Sequence, residues 1–147
     1  MTAADVVIIG GGVVGSAAAW RLRHDGFTGR GVVVERERTY ARASSFLAMG
    51  GIRQQFGSSV CVRMVQHSVA LWREFDTRMR TPTHTPRAWF RERGYLFLAD
   101  DTNADALTAR EAAQAAAGAS QRRLSVDEIR ALVPGLMLDD IRFGLFG

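Results

Sequence analysis

Residues 5–35, DVVIIGGGVVGSAAAWRLRHDGFTGRGVVVE, decide how the rest of this chain is read. Val6 to Ile9 is a short continuous apolar run, as expected for a parallel strand buried on both faces. A glycine-rich turn follows, then a helix from about Val13 to Arg23 built on good helix formers, Ala17, Ala18, Ala19 and Leu22. Gly26 provides a stop, and Val32 to Val34 form a second strand that ends in Glu35.

Gly10, Gly12 and Gly15 carry the spacing G-x-G-x-x-G. Each answers a different physical need. Gly10 permits the tight turn out of the strand, Gly12 lets a phosphate approach bare backbone, and Gly15 lets the helix lie close to the sheet. The first helical N–H groups, at Val14 and its neighbours, lack partners inside the helix, and the positive end of the helix dipole adds to their pull on an anion. Glu35 stands 20 residues after Gly15, where an acid accepts a hydrogen bond from an adenosine ribose. The glycine spacing alone is a weak signal in a chain with 15 glycines among 147 residues; the strand before it, the helix after it and the closing acid make it specific. The unit therefore predicts a dinucleotide site. An acid at this position favours a free 2′-hydroxyl, hence FAD or NAD over NADP.

Composition narrows the remaining classes. A chain of this length can bury one core, and 47% hydrophobic with 23% charged residues is ordinary for a soluble globular protein. No apolar run reaches membrane-span length, and the apolar N-terminal stretch is broken by glycines and has no basic leader, so cytoplasmic residence is the expectation. The single cysteine, Cys61, excludes an internal disulfide and a cysteine-based metal cluster. It reads as a small apolar residue near a helix start. His24, His67 and His84 have no partners at metal-ligand spacing, so no metal is expected. The net charge is +4 and every cation is an arginine. The arginines are dispersed, which argues against nucleic acid, and without lysine the chain has no Schiff-base former.

Beyond Glu35 the sequence predicts a loop over 36–57 with short structured pieces, and a helix from about Val60 to Met79 capped by Ser58 or Ser59. Its expected apolar stripe is Val60, Met64, Leu71, Phe75 and Met79, with Trp72 beside it. A connector at 81–87 precedes two strands, 88–91 and 94–99, around a bend at Gly94. A helix over 103–117 stops at Gly118, a capping box at Ser125–Glu128 opens a short helix ending before Pro134, and Ile141 to Phe146 reads as a strand. Only two strands of a nucleotide-binding sheet are evident, which suggests an N-terminal piece of a larger protein.

Three segments together resemble one family: VVIIGGGVVGSAAAWRL closed by VVVE, then ARASSFLAMGGIRQQFG (41–57), then RERGYLFLAD (91–100) with LSVDEIRALVPGL (124–136). Their order is similar to the N-terminal part of FAD-dependent amine and amino-acid oxidoreductases of the D-amino-acid oxidase type. Sarcosine oxidase, sarcosine and dimethylglycine dehydrogenases and glycine oxidase are members. The resemblance implies an α/β fold: a Rossmann-like FAD-binding βαβ unit and, after it, the start of a mixed α+β substrate domain, divided as 1–80 and 81–147. It implies oxidation of an amine or amino acid at a C–N bond by hydride transfer to FAD, with oxygen or a carrier as electron acceptor. Gly10, Gly12, Val14, Gly15, Glu35 and Arg36 fall at the nucleotide end. Ser44 and Ser45 would bond a phosphate or ribityl oxygen, and Met49 to Ile52, with Gly50 and Gly51, would lie near the isoalloxazine. Arg53 would meet a substrate carboxylate or the flavin. Cys61 does not match the covalent flavin anchors of some relatives, so non-covalent FAD is implied. An NAD-linked dehydrogenase and a chain that catalyses nothing remain the alternatives.

Overall fold

The computed structural model describes residues 3–147, so the first two residues of the expected 1–80 domain lie outside it. The chain forms two compact units, Met1–Gly51 and Ile52–Gly147. Residues 52–80, assigned from the resemblance to the FAD domain, pack within the second unit.

The first unit is a βαβ hairpin of layers. Strand β1 (Val6–Ile9) leads into helix α1 (Val13–His24) and parallel strand β2 (Gly31–Val34), in the register Val6↔Gly31 to Ile9↔Val34. Helix α1 ends as expected at Gly26, with φ of +91°. The Phe27 N–H donates to the Leu22 carbonyl (2.9 Å) and the Gly26 N–H to the Arg23 carbonyl (3.1 Å), a pairing that satisfies the helix's last acceptors. The basic residues Arg21, Arg23 and His24 crowd the negative end of the dipole. A one-turn helix, α2 (Ser44–Leu47), interrupts the loop that follows β2.

Burial on both faces of the strands is not realised. Along β1 half-buried and exposed residues alternate; Val6 and Ile8 are half-buried while Val7 and Ile9 are exposed. With one helix and two strands there is cover for one sheet face only.

The second unit holds α3 (Ser59–Arg73), α4 (Phe75–Arg78), β3 (Leu96–Asp100), α5 (Ala104–Ala116), β4 (Arg122–Leu124), α6 (Val126–Leu132) and β5 (Ile141–Phe146). Its sheet is antiparallel in the order β3-β5-β4, so the last strand in sequence is the central one. Leu124, Ile129 and Leu138 form the core, with Leu96, Leu98, Val126, Ile141 and Phe146 packed around them. Helix α6 opens on the expected capping box. The Ser125 Oγ accepts the Glu128 N–H (3.3 Å), and the Glu128 carboxylate accepts the Ser125 N–H (2.7 Å). Helix α5 follows an Asp100 turn in which Oδ1 accepts the N–H groups of Thr102 and Asn103.

Four further expectations differ from the structure. The helix expected over 60–79 breaks at Glu74, whose φ and ψ of −107° and 3° leave the helical region, and resumes as α4. Its buried residues are Val62 and Val69, in a stripe completed by half-buried Val65 and Trp72, while Val60 and Met64 are exposed. Both stripes have helical spacing, and the period cannot say which of two faces packs inward beside α5. Ser58 stands at the N-cap of α3, yet its side chain makes no capping bond. Residues 88–91 form no strand: Trp89 has φ of +54°, which breaks extended backbone, and the Ala88 N–H donates to the Asp76 carboxylate (2.7 Å). Strand β4 was not anticipated; it is too short and too arginine-rich to read as apolar alternation.

Burial in the second unit predicts an asymmetry between substitutions. Leu124→Ala, at a fully buried side chain, should cost about 2–5 kcal/mol of unfolding free energy in urea. Val60→Ala, on the exposed face of α3, should stay within about 0.5 kcal/mol. A large loss at Val60 would reinstate the stripe read from the sequence.

Candidate functional site: a glycine cradle in the first unit

The turn between β1 and α1 is shaped by one close approach. A Cβ built on Gly15 would sit inside van der Waals contact of the Gly10 carbonyl oxygen and 3.0 Å from its carbonyl carbon. No side chain fits there, so α1 rests on the end of β1 only because residue 15 is glycine. Gly10 turns with φ of +96°, and its N–H donates to the Val34 carbonyl (2.7 Å), which extends the β1–β2 pairing into the turn.

At Gly12 the situation is reversed. A Cβ there would have one neighbour within 4 Å, the Ser45 Oγ at 3.5 Å. Gly12 is the N-cap of α1 in extended conformation and supplies no side-chain cap, and no acid stands in the first helical turn. Apart from that of Val13, the N–H groups of the first turn are thus left for an external acceptor, at the positive end of the helix dipole. The Ser45 Oγ reaches the Val13 N–H at 3.4 Å, while Ser44 begins the same short helix α2. Val14 is exposed beside them.

Glu35, half-buried at the end of β2, closes the cradle. Its Oε2 accepts the Gly11 N–H (2.7 Å) and its Oε1 accepts the Glu37 N–H (3.0 Å). The backbone N–H groups of Glu37 and then Gly11 hold its carboxyl below the usual glutamate value of 4.5. It is therefore an anion at neutral pH with acceptor capacity left over, since each carboxylate oxygen can take a second hydrogen bond. Arg36 next to it is exposed.

Two participants have no sequence signature. Gly11 lies inside the glycine run without belonging to the spacing, yet it is the residue that Glu35 grips. Tyr40 adopts φ of +58°, and a Cβ on Gly11 would stand 2.9 Å from its hydroxyl. The Ser16 Oγ, donating to the Gly11 carbonyl (2.7 Å), steadies the turn from the helix side.

The structure thus gathers Gly10, Gly12, Val14, Gly15, Glu35 and Ser45 around one turn. Gly50, with φ of +73°, Gly51 and Ile52 cross from the first unit into the second, and Met49 before them is fully exposed. Arg53 belongs to the second unit, where its guanidinium lies over the rings of Phe56 (5.1 Å) and Phe97 (5.4 Å). Cys61 is half-buried in the first turn of α3. Among the described residues no group of His, Cys, Asp and Glu is arranged to hold a metal, and no helix is long and apolar enough to cross a membrane. A cleft of about 480 Å³ flanks the far end of α1, between Ala18, Leu22 and Phe27. The Arg21–Asp25 ion pair (2.8 Å) lies on it, and it presents none of the free helix donors.

The residues present fit a dinucleotide diphosphate. Open space faces Gly12, helix N–H donors lie at the same turn, and the Glu35 carboxylate stands beside it at the end of β2. Comparison with known proteins agrees. The sequence matches the family described as FAD dependent oxidoreductase, DAO, over residues 5–147. FAD-dependent oxidoreductase domain-containing protein 1 of Bos taurus is 34% identical over 147 residues, covering 97% of this chain and 30% of that protein. The Drosophila melanogaster homolog is 33% identical, covering 99% and 28%. The chain therefore spans about 30% of the length of these relatives. Among solved structures, L-proline dehydrogenase from P. horikoshii aligns with a TM-score of 0.81 and 28% identity over 98% of this chain and 36% of that one. Glycine oxidase from Bacillus cereus aligns with a TM-score of 0.66 at 19% identity over 98% and 38%, a likeness of fold alone. With a βαβ cradle that only glycine can close and a family match across nearly its whole length, this chain belongs to the FAD-dependent oxidoreductases of the DAO family.

Proposed function

We propose that this chain supplies the ADP-binding end of a flavoprotein that oxidises an amine or amino acid at its C–N bond. The observation that carries the reading is the close approach at Gly15, beside which Gly12 and the first turn of α1 stay open to a phosphate. The group held there, without a covalent bond, would be FAD; it would supply a hydride acceptor for the carbon next to the amine nitrogen, with oxygen or a carrier as the final electron acceptor.

The chain's own residues have defined parts in this scheme. The N–H groups at the start of α1 take the pyrophosphate oxygens. The Ser45 hydroxyl, already at the Val13 N–H, turns its proton toward the same phosphate, and Ser44 stands one residue before it. Glu35 accepts from the adenosine ribose, and its anionic state persists because two backbone N–H groups stabilise it. Arg36 borders the ribose end, and residues 49–52 run toward the flavin ring. Arg53 meets the carboxylate of the substrate or the flavin itself, a pairing that a planar guanidinium makes through two parallel hydrogen bonds. Residues 1–80 are then part of the FAD domain and residues 81–147 the beginning of the substrate domain. A small-molecule amine is the partner this chemistry requires.

Titration with FAD, followed by flavin fluorescence, tests the reading. The wild-type chain should bind FAD and should ignore NAD; the reverse preference would make it an NAD-linked protein instead. Glu35→Gln should weaken FAD binding about 10-fold, the loss of one charge-assisted hydrogen bond. Gly15→Ala should abolish binding, because the added methyl must push α1 off the strand.

The pH dependence has a definite sign. Glu35 titrates below 4.5 in the folded chain, so its contribution to stability and to FAD binding is complete above the unfolded value near 4.5. It is lost as the pH falls through the lowered folded value. FAD affinity measured from pH 8 downward should stay level to about pH 5 and drop only below it. A drop centred near pH 6 would show that another group controls the site.

A further inference from the structure

Residues 78–93, RMRTPTHTPRAWFRER, hold five of the 19 arginines and one of the 15 acids. The remaining residues carry 14 of each, so the whole net charge of +4 falls in this one segment. Arg78 pairs with Glu74 (2.7 Å). Arg80, Arg87, Arg91 and Arg93 are exposed, and none of them forms an ion pair among the described residues. Free guanidinium groups on so short a stretch repel one another, and a partner of opposite charge relieves that repulsion.

The same segment presents a tryptophan. Trp89 is 68% exposed, whereas Trp20 and Trp72 are half-buried. It is the one exposed large hydrophobic residue between residues 65 and 131. That exposure is held from both sides. Before Trp89, the Ala88 N–H donates to the carboxylate of Asp76 in α4 (2.7 Å). After it, the Nε of Arg73, the last residue of α3, donates to the Glu92 carboxylate (3.0 Å). Between these anchors Phe90 is half-buried and stacks toward Trp72, with ring centroids 6.5 Å apart. Trp89 itself takes φ of +54°. A left-handed backbone is unfavourable for a residue of this size, and so is leaving its ring in water. Paired hydrogen bonds between Thr81 and His84 (2.9 and 3.3 Å) close the tip of the loop that runs from Asp76 to Ala88, so Arg80 and Arg87 lie on its two arms.

We propose that this loop docks the protein on an anionic lipid surface, with the anchored Trp89 in the headgroup layer and Arg80, Arg87, Arg91 and Arg93 against the lipid phosphates. Tryptophan suits that layer because its apolar body carries a single N–H donor. A cluster of basic side chains supplies the attraction to an anionic leaflet. Arginine and tryptophan also make hot spots between proteins, but those are ringed by close-packed contacts that exclude water. Trp89 is flanked along the chain by hydrated arginine, threonine and proline, with no exposed apolar neighbour of its size. The surface therefore fits a diffuse charged layer better than a shaped pocket. Attachment of this kind is peripheral and needs no spanning helix. Every residue involved lies in the second unit, so the proposal stands without the flavin reading.

Co-sedimentation of the 147-residue chain with vesicles tests the proposal. Phosphatidylcholine vesicles with about 30% phosphatidylserine should carry the chain down at low salt and release it as salt rises. Vesicles of phosphatidylcholine alone should bind it about 10-fold more weakly or less. Arg→Gln at 80, 87, 91 or 93 should each weaken binding about 5-fold. The control is Arg63→Gln, about 15 Å along α3 from the Arg73 anchor, which removes the same charge and should leave binding within about 2-fold. Lipids with brominated acyl chains should quench the tryptophan fluorescence of the bound chain, and Trp89→Phe should remove most of that quenching. Asp76→Ala separates presentation from charge. It makes the chain more positive, yet it releases the Ala88 anchor and should leave each bound chain less quenched. An Asp76→Ala chain that binds more tightly and is quenched as fully as wild type overturns the proposal. So does equal binding to both kinds of vesicle, binding to neither, or an equal loss in Arg63→Gln. Retention by polyglutamate or duplex DNA, with the anionic vesicles left free, would assign the segment to an acidic protein or to nucleic acid and overturn the proposal as well.

Discussion

The first unit hangs on the contact between the Gly15 backbone and the Gly10 carbonyl. That contact sets how near α1 comes to β1, and the nearness aims the unpaired N–H groups of the helix at the space above Gly12. Everything polar in the cradle is arranged from this constraint. The Gly10 N–H can reach Val34 because the chain has turned with positive φ. Gly11 then presents its N–H to Glu35, which is how the end of β2 becomes tied to a turn 24 residues earlier. The carboxylate thus pins the turn, and being pinned keeps it ionised.

The second unit obeys a different logic. Its central strand, β5, is the last in sequence and pairs with both β3 and β4. The contacts are long-range in the chain, so no local signal announces them. Local chemistry sets the helix ends instead. The capping box at Ser125 and the Asp100 turn fix where α6 and α5 begin, and the sheet then collects the apolar faces the helices present.

This division explains what was legible in the sequence. The βαβ unit could be read nearly to the residue, because glycine spacing, an alanine-rich helix and a valine strand are local and mutually consistent. The same holds for α5, α6 and β5. The face of α3 could not be read, because Val60 and Val62 begin two stripes of equal periodicity, and only the partner chooses between them. The missing strand at 88–91 depends on the left-handed Trp89, and β4 exists because β5 offers it an edge. In the site, Gly10, Gly12, Gly15 and Glu35 follow from spacing and chemistry. The grip of Glu35 on Gly11 and the approach of Tyr40 do not, since both depend on how a loop returns over the turn.

Most of the chain follows the local rules of folding, and its departures are informative. Tyr40 holds a left-handed conformation that disfavours a side chain of its size, and it does so with its hydroxyl against the glycine turn at Gly11. Gln55, Gln114 and Gln121 bury acceptor oxygens that an apolar residue would not leave empty, and the first two line a cleft beside Arg53 and Arg110. Trp89 shares the conformation and the exposure of Tyr40, but it lies away from the glycine turn. Where stability is given up next to a place a ligand can occupy, binding is the process that can return it.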